Sequence, residues 1–103
     1  MIINILGTEY EVLKQTIAEN YKLEKAYGIC EFWAKKIIVE ESKPDRTTFE
    51  NLDEFNKKVL RHEIIHAYFG ESGLKDYMDD EVLVDWIATQ FHKIEDTFKK
   101  LDL

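Results

Sequence analysis

Cysteine, proline, histidine and glycine are scarce in this chain: its 103 residues hold one, one, three and four of them. A lone cysteine, Cys30, has no internal partner for a disulfide, which matches a reducing compartment. No stretch approaches the roughly 18 consecutive apolar residues that a membrane span needs. The opening MIINILGTEYE lacks a basic start, and its apolar run stops at Gly7, too short for a secretory signal. The expected setting is the cytoplasm. Basic residues are outnumbered 14 to 21 by acidic ones that are interspersed with them, for a net charge of −7. Such a surface repels phosphate backbones, so nucleic acid is not an expected partner.

What the chain has in quantity is the material of a folded protein: 45% hydrophobic and 34% charged residues, the balance of a globular chain rather than a disordered or fibrous one. The length fits one domain, residues 1–103, in which a small core buries roughly two-thirds of the surface the unfolded chain exposes. No repeat, linker or low-complexity segment interrupts it.

The two halves differ in pattern. MIINIL and EYEVLKQ, on either side of a Gly7-Thr8 turn, read as a β-hairpin, although Thr8 with Glu11 also matches a helix capping box. Residues 16–26 carry no clean period. Two β-branched and aromatic runs follow, 27–33 and 36–41, joined near Ala34 and Lys35. Pro44 then breaks the pattern, and Thr47, Thr48, Asn51 and Asp53 compete to cap what comes next. Leu52, Phe55, Val59, Leu60, Ile64 and Ala67 recur at helical intervals, with Gly70 placed to stop the helix and ESGLKDYM as a loop. Asp79 and Asp80 open a second helix, along which Val84, Ile87, Phe91, Ile94, Phe98 and Leu101 draw an apolar stripe. Strands first and helices last make an α+β domain: a small twisted β-sheet of three to four strands in the N-terminal half, packed on two helices.

Two of the three histidines lie in one short stretch, VLRHEIIHAYFGESGL. On a helix each residue turns about 100°, so His62 and His66 lie about 40° apart on one face, with Glu63 about 60° from His66. This is H-E-x-x-H, in which two imidazoles take a zinc ion and the glutamate serves as general base toward the water that the metal activates. The bland alternative is a pair of helical histidines bonded locally, which would leave three polar groups on one face poorly satisfied.

Catalytic zinc needs a third protein ligand and an open position. His92 sits well inside the second helix, as surface polarity. The metzincin continuation is closed, because Phe69 and Ser72 stand where its glycine and third histidine belong. Carboxylates remain in DDEVLVDWIA. Glu81 can ligate once the chain reverses through residues 70–78, with Asp80 or Asp79 as substitutes and plain helix capping as the rival role. One turn deeper, Asp85 can accept the free N–H of His62 or His66, or simply make a salt bridge. Tyr77 and Tyr68 are candidates by position for stabilising a tetrahedral oxyanion. An exposed strand at residues 27–32 would add a peptide to the sheet edge, with Cys30 and Glu31 bordering it, or with Cys30 as a small buried hydrophobe. Trp33 and Trp86 read as core or groove wall.

HEIIH followed by EVLVDWIA resembles the gluzincin pairing of H-E-x-x-H with E-x-x-x-D. It is more closely similar to ImmA/IrrE-type metallopeptidases and small prophage-encoded zincin-like proteins, whose second motif runs E-x-x-A-N/D-x-F-A. Glu81, Val84, Asp85, Ile87 and Ala88 fall on those positions, with Val for Ala and Ile for Phe. The likeness covers roughly residues 55–92, and only the two motifs are specific. It implies a minimal zincin fold with zinc on His62, His66 and Glu81, Glu63 as base, and a peptide or protein substrate. The chain departs from the pattern in offering no second domain for the far wall of a cleft. The rival function is a zincin-fold regulatory protein that grips a partner, such as a repressor, without cutting it.

Overall fold

The computed structural model describes residues 1–41 and 52–103. The proposed breaker Pro44 and the competing caps Thr47, Thr48 and Asn51 lie outside the described residues; Asp53 lies inside the first turn of a helix.

The first hairpin pairs β1 (Ile2–Ile5) with β2 (Thr8–Gln15) through a two-residue turn, Leu6-Gly7, whose φ angles of 50° and 93° are both positive. Two left-handed residues give the turn the same hand as the twisted strands, and Gly7 takes that conformation without a Cβ penalty. The capping-box reading of Thr8 is thereby set aside. After a 3-10 turn at Tyr21–Glu24, β3 (Gly28–Glu31) and β4 (Lys36–Glu40) form the second hairpin, turning through residues 32–35 with Lys35 left-handed at φ 56°. The sheet order is β1-β2-β4-β3, so the hairpins join through a parallel β2–β4 pair and β3 is left on an edge. The molecule is α+β, with a four-stranded mixed sheet in the N-terminal half and helices in the C-terminal half.

Helix α1 (Leu52–Glu71) lies on one sheet face over a core of Ile5, Tyr10, Ile37 and Ala67, with Val12, Leu60 and Ile64 packed around it. Its last residue, Glu71, is tied to the sheet three times. Tyr10 Oη donates to it at 2.7 Å, Thr8 Oγ1 at 3.0 Å and Lys35 Nζ at 2.7 Å. Gly70 does not stop this helix; it stands within it. A Cβ there would collide with the Phe32 ring, so the glycine lets the hairpin approach the helix. The stop is Gly73 at φ 81°, where Leu74 N–H bonds the Phe69 carbonyl at 3.0 Å and Gly73 N–H the Gly70 carbonyl at 3.4 Å, the paired bonds of a Schellman motif.

The stretch expected as a loop contains a single helical turn, α2 (Lys75–Met78), before α3 (Glu81–Lys100). Asp80 caps α3, its Oδ1 accepting from Leu83 N–H at 3.0 Å, while Asp79 ends α2. Where α3 crosses α1, Val84 and Ala88 are fully buried and Arg61 Nε donates to the Ala88 carbonyl at 2.8 Å. Beyond the crossing the apolar stripe is uncovered: Phe91, Phe98 and Leu101 remain 50%, 51% and 67% exposed. Periodicity marks which side of a helix is apolar, not whether anything lies against it. Trp33 is likewise exposed at the hairpin tip, near Lys75, rather than in the core, and Trp86 is an exposed wall of a groove beside Asp85. No helix among the described residues is long and apolar enough to cross a membrane.

Truncating Ile37, fully buried on the central strand, to alanine is expected to cost about 2–5 kcal/mol in denaturant unfolding, whereas Phe98→Lys on the uncovered stripe stays within about 0.5 kcal/mol. The hydrogen bonds from Lys35 and Tyr10 lower the Glu71 carboxyl to about 2 in the folded chain. Because the folded value lies below the unfolded one, the Glu71 contribution is whole above about pH 4.3 and fades as pH falls toward 2. The difference in melting temperature between wild type and Glu71→Gln should therefore be constant at neutral pH and shrink through that window.

Candidate metal centre

His62, Glu63 and His66 project from the α1 face that meets α3 and the edge strand. His66 and Glu63 are both 7% exposed; His62 is partly covered. Ligand atoms of the three residues lie within 4.8 Å of one another, a group that could hold a metal ion.

Each ring is turned by a bond on its outer nitrogen. His66 Nδ1–H donates to the Met78 carbonyl at the end of α2, and His62 Nδ1–H donates to Asp85 Oδ1 at 3.2 Å. A carbonyl only accepts, so His66 carries its proton on Nδ1; a carboxylate selects the same tautomer for His62. In the neutral rings this tautomer leaves each Nε2 as a lone pair, and the two Nε2 atoms face each other at 3.1 Å. Glu81 closes the triangle from the first turn of α3, with Oε2 2.8 Å from His62 Nε2 and Oε1 3.1 Å from His66 Nε2. Four such electron-rich atoms aimed at one point repel each other unless a proton or a metal ion stands among them. Tetrahedral bonds of 2.0–2.1 Å put ligand atoms about 3.3 Å apart, close to these edges, so the donor set fits a small metal ion.

Glu63 is held beside this centre from the strand side. Just before β3, Tyr27 accepts from Glu40 N–H at 2.8 Å, and by antiparallel alternation Gly28 and Cys30 turn their backbone groups to the open edge. The Cys30 N–H reaches the Glu63 carboxylate. Burial raises the Glu63 carboxyl to about 7, against the pull of His66 and the Cys30 N–H, and the Glu81 charge adds to the rise. A carboxyl in this range exchanges a proton readily near neutrality. Burial pushes the Cys30 thiol up to about 12, with the charges of Glu63 and Glu31 adding to it, so the side chain stays neutral and packs against the core.

Asp85 is shared: besides His62 it takes Lys58 Nζ at 3.2 Å, and although burial resists, these bonds hold its carboxyl below the usual carboxylate range. Of the substitutes for Glu81, Asp80 is engaged as the cap and Asp79 lines a cavity with His66. The tyrosines are not brought in. Tyr68 projects from the opposite side of α1 into a groove with Ile65 and Phe91, and Tyr77 packs toward Phe69 with ring centroids 6.3 Å apart. Neither lines the cavities that border the histidine pair. Glu31 points off the other sheet face to Lys22, at 2.5 Å, and His92 is exposed on α3. No family model, curated protein or solved structure matches this chain, so geometry alone carries the functional reading.

Three participants escaped the sequence reading: Lys58, the Met78 carbonyl and Gly28. A Cβ on Gly28 would lie 2.8 Å from Val59 Cγ1 and 2.9 Å from Glu63 Cγ, so its absence is what brings the strand onto the helix. The signal was available, since an isolated glycine in a strand often marks a close backbone approach. Gly28→Ala should overpack this contact and lower stability by about 1–3 kcal/mol in urea unfolding.

Proposed function

We propose that this chain is a minimal zincin-like, zinc-dependent peptidase, with His62, His66 and Glu81 as ligands and Glu63 as general base. The observation that carries the reading is the meeting of two Nε2 atoms with the Glu81 carboxylate while a separate, buried carboxyl stands beside them. Two imidazoles with one carboxylate suit zinc better than a hard cation such as magnesium or calcium, and three protein ligands leave a position open. When bound there, zinc would lower the pKa of water toward 7 and polarise a carbonyl.

The rest falls to the chain's own groups. Glu63, in hydrogen-bond reach of the Cys30 N–H and with its carboxyl near neutrality, takes a proton from the attacking water and returns it to the leaving amine. Asp85 and the Met78 carbonyl keep the rings in the ligating tautomer and at a fixed angle. Lys58 offsets the Asp85 charge so that this carboxylate stays beside His62. The open edge of β3 offers the backbone of Gly28 to an extended peptide running past Glu63. Glu63 also favours catalysis over mere partner binding, because a three-ligand metal site has no use for a fourth, buried carboxyl.

Zinc at about 100 times its Kd is expected to stabilise the wild type by about 2.7 kcal/mol in thermal unfolding, and His66→Ala should lose most of that gain. Glu63→Gln should keep stoichiometric zinc by metal analysis and lose cleavage of an unfolded protein substrate. Unchanged function in Glu63→Gln would favour the non-catalytic partner-binding protein. Failure to retain zinc on purification without chelator, with no gain in stability on adding it, would remove both readings.

A further inference from the structure

Beside the metal centre lies a cavity of ≈ 380 Å³ that one wall shares with the chemistry and the other does not. His62, Glu63, Glu81 and Asp85 border it on the helix side; Tyr27, Phe55 and Val59 close the far end. The two rings meet edge to face, centroids 4.8 Å apart at 89°, a mutual packing that fixes the wall rather than leaving two loose aromatics. We infer that this cavity is the specificity pocket of the site and takes a large apolar side chain, such as leucine or phenylalanine, from the peptide residue next to the bond that is cut. The inference rests on the peptidase reading and names what that reading leaves open.

Size, polarity and position agree. The volume lies at the low end of the roughly 300–1,000 Å³ of ligand pockets, enough for one side chain and not for an extended cofactor. A residue seated against Tyr27 and Val59 keeps its backbone at the open edge of β3, where Gly28 has no side chain to block it. Charge disfavours an acidic occupant. Among the described residues three carboxylates border the cavity, and the one lysine there, Lys58, is already paired with Asp85 at 3.2 Å. Among the described residues, the Glu81 and Asp85 carboxylates are engaged by the histidines and Lys58, and the far wall of Tyr27, Phe55 and Val59 offers a basic head no partner.

Hydroxamates that differ only in their tail separate the pocket from the metal. Zinc-loaded full chain, its zinc content measured first, is titrated calorimetrically with acetohydroxamate, 4-methylpentanohydroxamate and succinic monohydroxamate. The branched alkyl tail should tighten binding about 10- to 100-fold over acetohydroxamate, the gain of burying a leucine-sized group, and the acidic tail should give none. In Phe55→Ala, and separately in Val59→Ala, the ratio of the alkyl to the acetyl dissociation constant should move at least threefold toward one. Equal affinity for the alkyl and acetyl compounds, or a ratio untouched in both variants, overturns the pocket while leaving the metal centre standing. Absence of acetohydroxamate binding to zinc-loaded protein instead sinks the open metal position and the pocket with it.

Discussion

Two imidazoles one helical turn apart can turn the same nitrogen toward a common point only if the opposite nitrogen of each is held elsewhere. In this chain those holds are of different kinds. The His62 proton goes to a side chain on α3, Asp85, and the His66 proton goes to a backbone carbonyl at the end of α2. Tautomer, ring angle and the seat of Glu81 therefore depend on a single reversal of the chain, the turn that ends α1 at Gly73 and restarts it at the Asp80 cap. Length and handedness of that reversal matter more to the site than the composition of the loop.

The second constraint comes from the sheet. A carboxyl as buried as Glu63 needs a donor, and the edge strand supplies one from Cys30 because Gly28 allows β3 to lie against α1. Glycine is costly in a strand for want of a side chain to pack. Here the missing side chain brings the donor within reach and leaves the edge clear, so one local weakness serves both the base and the approach of a peptide under the proposed function.

Legibility in the sequence followed locality. The histidine pair and Glu63 belong to one helix turn, where an arithmetic of 100° per residue suffices, and Glu81 and Asp85 lie only a short loop away. The two hairpins and the two long helices were legible for the same reason, whereas the single turn of α2 was read as loop. The same arithmetic would have placed Tyr68 on the wrong side of α1, roughly 200° from His66. Other features were beyond local pattern. Parallel pairing of β2 with β4 joins strands that each also pair with a sequence neighbour, and nothing in either run specifies it. Gly70 and Gly73 look alike in the sequence, but only one has positive φ, and the other is required by the Phe32 ring from a hairpin far away in the chain. The stripe from Phe91 to Leu101 has helical spacing whether or not it is covered.

The bond from His66 to the Met78 carbonyl has a bearing on how such a site can change over evolutionary time. A carbonyl is common to every amino acid, so the hydrogen bond places no demand on which residue stands at position 78, whereas Asp85 must remain an acceptor to serve His62. The two histidines, equivalent in the motif, are thus unequal in mutational exposure. Orientation of His62 can be lost by one substitution; that of His66 is insured against side-chain drift and vulnerable to insertion or deletion between Gly73 and Asp80.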